Sequence, residues 1–462
     1  MLQVYGKYKS AAKLGAEVVI PMGLCYVAAA LEQAGHRVNL IDADAEGLSQ
    51  DGIIQRIKEE PFDVVGVTAT TPVYSSAKQI IESVKEYNKE ILTILGGAHL
   101  TVLPAAVMED CPVDIGVIRE GEETVVALLN AVEKGLSLRD VKGIIYREGE
   151  IVITNEPRPW LENLDSLPFP ARHLLKEKYI WSVPGEGLLP VTTMLTQRGC
   201  PFDCVFCSAG IVSGRKVRYR SVNNVVDEIE QIVAQFGIRY FFLADDTLTL
   251  DKKHISELCT EIKKRDLKVG WDGTTRANII SKELLSEMKS AGLKRISFGI
   301  ESGSQRILNA VNKGTTLEEL KQAYQWCNEL GLETRGSVMV GNPFETKETI
   351  KQTSDFIRSL KCYQVYINIA MPYPGSELYE MAKNGVGGLK LLTDDWREYR
   401  RYGNSVMEMN GLTVKDLISA QRKMYLRFYL RPRIIFYNLR RAGLKAAIIN
   451  IWAFVRSVFL TH

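Results

Sequence analysis

Three thiols in one short loop carry the strongest chemical signal of this 462-residue chain. Cys200, Cys204 and Cys207 stand as C-x3-C-x2-C within QRGCPFDCVFC. Three thiolates at that spacing can wrap one face of a cubane iron–sulfur cluster, because sulfur is the usual protein ligand for such centres. Three ligands for four irons leave one iron open, and an open coordination position is where a metal site does chemistry. A structural zinc site would require a fourth ligand close by, and Cys259, His173 and His254 stand at no recognised spacing. The remaining thiols, Cys25, Cys111, Cys259, Cys327 and Cys362, read as buried small apolar residues. Cys362 stands just ahead of the last strand pattern.

The elements around the loop must hold it open. An apolar strand pattern runs directly into Cys200, and further strand patterns follow at 238–245, 268–273, 293–302, 333–341 and 363–375. Helical patterns alternate with them, as at 223–237 and 317–331. Six β/α units make a partial (β/α)6 barrel over residues 190–385, with reactive groups expected at the strand C-termini. Asp245, Asp246, Arg276, Glu301 and the Pro374-Gly375 pair fall there. Each has a plainer reading beside the functional one: Asp245 as a helix cap, Arg276 as a surface charge, Glu301 as a salt-bridge partner.

Residues 1–150 alternate differently. Strand patterns at 36–44, 63–71, 90–99 and 114–122 are separated by helical spacing at 23–35, 75–87 and 122–135. That order predicts an α/β, doubly wound, Rossmann-like domain. Its ligand would sit at the strand C-termini, where the loops are 68–74, 96–101 and 119–124. Gly96-Gly97 either lets the backbone approach a bulky ligand or makes an ordinary turn. No G-x-G-x-x-G follows the first strand pattern, which disfavours a dinucleotide. The stretch 151–189 holds five prolines and reads as a linker over the surface. Residues 386–462 read as a helical, basic, amphipathic C-terminal region.

Composition adds bounds. With 46% hydrophobic and 24% charged residues the chain is of ordinary globular type, not collagen-like, disordered or disulfide-framed. Its net charge of +3 conceals an asymmetry. Nine basic and no acidic residues lie from Leu417 to His462, which leaves 49 basic against 55 acidic residues before them, or −6. Large apolar and aromatic residues interleave with those cations, from Tyr425 through Trp452 to Phe459. This describes either an amphipathic segment at a membrane interface or a helical cap on the barrel, and not a nucleic-acid arm. The longest apolar run, 446–455, is too short to span a membrane. The N-terminus lacks a signal peptide's apolar core. The chain reads as cytoplasmic, with peripheral contact at the membrane's inner face open through the tail.

Taken together, these motifs resemble the radical S-adenosylmethionine (SAM) superfamily. CPFDCVFC is similar to its cluster motif, with Phe206 at the aromatic position before the last cysteine. FGIESGSQRIL resembles the segment whose glutamate, here Glu301, contacts SAM, and Asp245-Asp246 stands where the family has an acidic element after the second strand. SVMVGNPFET is similar to the fifth-strand segment but departs from it at Asn342 and Phe344. PMGLCYVAAALEQAGHRVNLIDAD, VGVTATTP, LGGAHLTVLP and REGEET resemble, in order, the cobalamin-binding domain of the family's B12-dependent branch. RFYLRPRII is similar to the ends of the group that includes the anaerobic magnesium-protoporphyrin monomethyl ester cyclase. D-x-H-x-x-G, through which many B12 proteins ligate cobalt, is absent.

The resemblance implies a [4Fe-4S] cluster on the three cysteines, with SAM held by Phe206, Asp245, Asp246, Arg276 and Glu301. It implies cobalamin held by Thr70, Thr71, Tyr74, Gly96, Gly97, His99, Glu120 and Gly121. His99 is expected in a loop near the cofactor and not as cobalt ligand, with the 70–74 loop facing cobalt's lower side. The implied activity is C-methylation of an unactivated carbon through a 5′-deoxyadenosyl radical. The substrate would be a hydrophobic or amphipathic small molecule such as a lipid, isoprenoid or porphyrin, and the electrons would come from a flavodoxin or ferredoxin. The alternative is oxidative or ring-forming chemistry without methyl transfer. A tRNA methylthiotransferase would carry three more cluster cysteines in the N-terminal domain, where only Cys25 and Cys111 occur. A non-catalytic sensor would keep its function after loss of Cys200.

Overall fold

A computed structural model describes residues 2–3, 19–176 and 179–437. Two seven-stranded sheets organise them. The first contains β1 (Leu2–Gln3), β2 (Ile41–Asp42), β3 (Val64–Thr68), β4 (Leu92–Gly96), β5 (Ile115–Val117), β6 (Ile144–Glu148) and β7 (Ile151–Thr154), in the order β2-β1-β3-β4-β5-β6-β7. The first five are parallel; β6 and β7 are antiparallel. The strand order of the parallel core reverses between β1 and β3, the switch point at which doubly wound sheets bind ligands. Continuous apolar runs such as Val64–Val67 build it, because helices cover both faces and Val65, Val67, Ile94 and Leu95 are buried between them.

The second sheet begins with a hairpin, β8 (Ile180–Val183) and β9 (Gly187–Met194), beyond which come a short pair, β10 (Gln197–Arg198) and β11 (Arg218–Tyr219), around the cysteine loop. β12 (Tyr240–Leu243), β13 (Gly270–Thr275), β14 (Leu293–Glu301), β15 (Glu333–Val340) and β16 (Gln364–Ile369) follow, in the order β16-β15-β14-β13-β12-β9-β8. Six parallel strands, β9 and β12 to β16, are the six units expected. Local chemistry sets the helices between them. Ser221 caps helix Val222–Phe236 and Gly237, at φ +67, ends it; Thr316 and Glu319 form a capping box on helix Leu317–Glu329.

Two expectations change. The stretch 151–189 is not merely a surface linker: β7 extends the first sheet and β8 starts the second. Between them Arg172, buried, donates to Thr193 O at 2.7 Å and pairs with Glu228 at 2.6 Å. Proline content flagged the irregular parts correctly but hid two edge strands, which tolerate nearby proline.

The tail divides as well. Helix Val414–Tyr429 packs along β16, the open edge of the barrel. There the Tyr425 hydroxyl accepts from Ile367 N, the Tyr429 hydroxyl accepts from Val365 N and donates to Val365 O, and Gln421 donates to Ile367 O at 2.7 Å. Residues 421, 425 and 429 share one helix face, so three side chains stand in for the missing seventh parallel strand. This part of the basic tail is a cap on the barrel. Residues 438–462, including 446–455, lie outside the described residues.

Glu228 has no exposed surface and is held by Arg172 and Arg220. Removing one member of a buried charge cluster leaves the others uncompensated, at about 3–5 kcal/mol. Glu228→Gln is therefore expected to lower unfolding stability by that amount in urea titration, with the Arg172→Met, Glu228→Gln double variant recovering part of it.

Candidate functional site

The cysteine loop sits in the mouth of the partial barrel. Cys200 and Cys204 are nearly buried and Cys207 is exposed. All three line one cavity with Phe202, Phe206, Asp246, Arg276, Glu301 and Lys313. The following segment pins the loop: Val205 N donates to Val311 O at 3.1 Å and Asn312 Nδ2 donates to Asp203 O at 3.1 Å. Two cations cover the loop's aromatic rings. The Arg276 guanidinium lies 3.7 Å from the Phe202 ring centre, and Lys313 Nζ lies 5.8 Å from that of Phe206.

The sulfurs already act as hydrogen-bond acceptors. Ala209 N donates to Cys207 Sγ at 3.4 Å, and Arg276 Nη1 donates to Cys204 Sγ at 3.4 Å. Donors aimed at sulfur suit thiolates in an iron–sulfur cluster, whose potential such bonds tune. Among the described residues no group of three His, Cys, Asp or Glu is arranged to hold a metal ion. The three thiols share one cavity wall.

Glu301 turns into this cavity at some backbone cost. It lies at φ +59, beside a register shift between β14 and β15, and its carboxylate pairs with Lys313 at 2.7 Å. Gly299 makes that possible. A Cβ there would crowd Glu301 Oε1 and the Lys313 ammonium.

Asp245 and Asp246 separate. Asp246 lines the thiol cavity. Asp245, fully enclosed, accepts from Thr196 N at 2.8 Å, Thr196 Oγ1 at 2.6 Å and Gln197 N at 3.1 Å, and it is absent from the cavity wall. Burial pushes its carboxyl up to about 6, against the pull of those donors. Asp245 is thus neither a cavity group nor the cap of the next helix, which Asp251 caps. It shapes the turn that leads into Cys200.

A second cleft opens where the two sheets face each other. Gly96, Gly97, Glu120 and Gly121 line it from the ends of β4 and β5, with Gly23 and Val27 from helix Met22–Gln33. Gln197, Arg198, Val212, Ser213 and Asp246 line it from the barrel side. A Cβ built on Gly23 would meet nothing within 4 Å, and one on Gly96 nothing closer than 3.9 Å. The backbone there forms a cradle open to a bulky ligand. Beside it, Thr70, Thr71, Pro72 and Val73 face Ser208, Val212, Tyr373 and Pro374 across a neighbouring cleft.

Three residues assigned to this cofactor by resemblance behave otherwise. Glu120 contributes its position to the cleft, but its carboxylate pairs with Arg198 at 3.0 Å and Arg218 at 2.8 Å and accepts from Leu161 N. Tyr74 is buried and its hydroxyl donates to Asp110 at 2.8 Å. His99 is not in a loop but in the short helix Ala98–Val102, 1% exposed, and lines neither cleft. Its ring lies 4.2 Å from Tyr74 and 5.2 Å from Trp396, with Nδ1 3.1 Å from Thr71 Oγ1. No histidine lines either cleft among the described residues, in keeping with the missing D-x-H-x-x-G.

Sequence reading missed Lys313, Phe202, Arg198 and Trp160. Trp160 comes from the proline-rich stretch and stacks between Arg119 and Arg218. Arg198 stands two residues before Cys200, and a charge so close to the motif was a usable signal. Lys313 had none, since only the fold brings it to Glu301.

Fold and site define the class: a doubly wound ligand-binding sheet docked on the thiol-bearing mouth of a partial barrel. A B12 binding domain model matches residues 12–129, and a Radical SAM superfamily model matches residues 194–357. An uncharacterized methyltransferase of Pyrococcus horikoshii is 35% identical over 421 residues, 91% of this chain and 90% of that protein. The anaerobic magnesium-protoporphyrin IX monomethyl ester cyclase of Rubrivivax gelatinosus is 33% identical over 426 residues, 90% of this chain and 75% of that protein. Among solved structures, the radical SAM methyltransferase TsrM of Kitasatospora setae, with cobalamin and a [4Fe-4S] cluster bound, superposes with a TM-score of 0.74 at 18% identity, covering 94% of this chain and 88% of that one. The chain belongs to the B12-binding branch of the radical SAM family and is a radical SAM enzyme.

Burial holds the His99 imidazole down to about 4, from an ordinary 6.5. Between those values the unfolded chain carries a proton that the folded chain lacks. This share of stability is present above pH 6.5 and is lost as pH falls toward 4. At 1.36 kcal/mol per unit, about 2 kcal/mol disappears between pH 7 and pH 5. Denaturant titrations at the two pH values are expected to show a drop smaller by that amount in His99→Phe than in the parent chain.

Proposed function

We propose that this chain is a cobalamin-dependent radical SAM methyltransferase acting on an unactivated carbon of a hydrophobic or amphipathic small molecule. Cys200, Cys204 and Cys207 hold the [4Fe-4S] cluster. SAM occupies the cavity beside Phe206, Asp246 and Glu301, and cobalamin the cleft of Gly96, Gly97 and Gly121, with Thr70 and Thr71 at its border. The observation that carries the reading is Asp246, which lines both the thiol cavity and the cleft between the sheets. Ligands in the two spaces therefore meet across one side chain. When bound, the cluster supplies the electron that cleaves SAM, and cobalamin supplies the methyl group.

The chain's own residues position and seclude. Glu301, turned inward and fixed by Lys313, offers a carboxylate to cationic or hydroxyl groups of SAM. Phe202, Phe206, Phe242 and Phe298 wall the cavity with apolar surface, which limits water at a site of radical chemistry. The neighbouring cleft, with Pro72, Val73, Val102, Val212 and Pro374 in its walls, is an apolar entrance suited to a hydrophobic substrate. An external one-electron donor of flavodoxin or ferredoxin type supplies reducing equivalents.

The likeness to the cyclase favours a second reading, ring formation without methyl transfer. The chain, reconstituted anaerobically with iron, sulfide and cobalamin, is to be incubated with reductant, trideuteromethyl-SAM and a lipid and pigment extract. Deuterium in an extract component, together with S-adenosylhomocysteine, is the expected result. 5′-Deoxyadenosine with no label transferred would select the cyclase reading. Cys200→Ala is expected to lose the iron–sulfur absorbance and to bring both products to background.

A further inference from the structure

The structure assigns Arg276 a task on the cluster and not on SAM: through its N–H bond to Cys204 Sγ it raises the reduction potential of the centre held by the three cysteines. This rests on the reading that those cysteines hold a cluster. Arg276 follows the last residue of β13 and is 5% exposed. Its Nη1 donates to Cys204 Sγ at 3.4 Å, and its guanidinium plane stacks on Phe202, in the loop between the first two cysteines, at 3.7 Å. The group is held from behind as well. Arg276 Nε is 3.5 Å from Asn278 Oδ1, and Asn278 Nδ2 donates to Gly314 O at 2.8 Å. Gly314 lies beside the guanidinium, where a Cβ would stand at ordinary van der Waals distance from Arg276 Nη2.

A fixed cation beside a cluster sulfur has a definite effect. Reduction adds one electron to the cluster, supplied by an external low-potential one-electron donor, and the added negative charge spreads onto the thiolate sulfurs. A guanidinium N–H pointed at one sulfur stabilises the reduced form more than the oxidised form. Hydrogen bonds to sulfur and net charge are the levers by which proteins set such potentials. Of the cavity's other cations, Lys313 is paired with Glu301 at 2.7 Å and Arg335 donates through Nε to Gln364 Oε1 at 3.0 Å. Arg276 addresses a cysteine sulfur directly.

The test uses the full chain reconstituted with iron and sulfide, without cobalamin or substrate, as parent and as Arg276→Met. Electron paramagnetic resonance follows the reduced cluster during titration with dithionite and mediators. At the parent midpoint, where half the cluster is reduced, about one part in ten is expected to be reduced in Arg276→Met at equal iron content. That tenfold change in the ratio corresponds to about 59 mV for one electron. Arg276→Lys, which keeps a cation, is expected to fall between the two. SAM affinity, from equilibrium dialysis on the same samples, is expected to change less than threefold. An unchanged midpoint at full iron content overturns the assignment, as does a tenfold loss of SAM affinity with the midpoint intact. If Arg276→Met takes up no cluster, Arg276→Gln decides, because its shorter, neutral amide removes the charged N–H at Cys204 Sγ while keeping a polar side chain. A lowered midpoint there supports the assignment and an unchanged one overturns it. Failure of the parent chain to take up iron would refute the cluster reading itself and is recognised by absorbance before any variant is compared.

Discussion

Everything in the site depends on one set of ion pairs between the two sheets. Glu120 and Glu122, just beyond β5, grip Arg198 and Arg218 of the short strand pair around the cysteine loop. The distances run from 2.6 to 3.0 Å. Net stability is not their main contribution, since desolvating such charges offsets much of the attraction. Their contribution is direction: a forked guanidinium between two carboxylates is satisfied in one geometry. Arg198 lies two residues before Cys200, so holding Arg198 to the first domain also holds the start of the cysteine loop against the cleft. Trp160, stacked between Arg119 and Arg218, closes the same joint from the connecting segment.

The second constraint is the open barrel. Six parallel strands do not close on themselves, and a free parallel edge presents unpaired backbone groups. The chain meets this at one side with the antiparallel strand β8 beside β9, and at the other with Gln421, Tyr425 and Tyr429 against β16. The helix that carries them is basic and aromatic for that reason over its described part. Its aromatic residues cover an edge, and arginines on it and just beyond it reach carboxylates and carbonyls nearby, as Arg427 does at Asp355 and Arg431 at Arg358 O.

Much of this was legible in the sequence. The thiol spacing, the six β/α units and the parallel core of the first sheet all followed from periodicity and motif, because continuous apolar runs and capped amphipathic helices are local signals. What escaped was non-local. The carboxylate of Glu120 lies at a cofactor loop in sequence but is consumed by Arg198, 78 residues away. His99 comes just after Gly96-Gly97 and so looks ligand-facing, yet the short helix that carries it turns the ring inward onto Tyr74 and Trp396. Asp245 and Asp246 are indistinguishable as a dipeptide. Only the bend after β12 sends one to the Thr196 turn and the other to the cavity. The strands β7 and β8 were obscured by prolines that flank them without entering them.

Glu301 shows how far the fold bends to present chemistry. A non-glycine residue at positive φ carries strain of about 1–3 kcal/mol, tolerated where surrounding contacts over-determine it. The surroundings here do so from three sides: the β14–β15 register slips, Gly299 vacates the space, and Lys313 ties the carboxylate down. Relieving the strain by regular strand geometry would return the side chain to alternation and withdraw it from the cavity. The same segment that supplies Lys313 also pins the cysteine loop through Val311 and Asn312. Glutamate and thiols are thus referenced to a single stretch of backbone, so displacing that stretch would move both together. A cavity built this way preserves the distance between its anionic and sulfur-bearing walls while the rest of the barrel remains open.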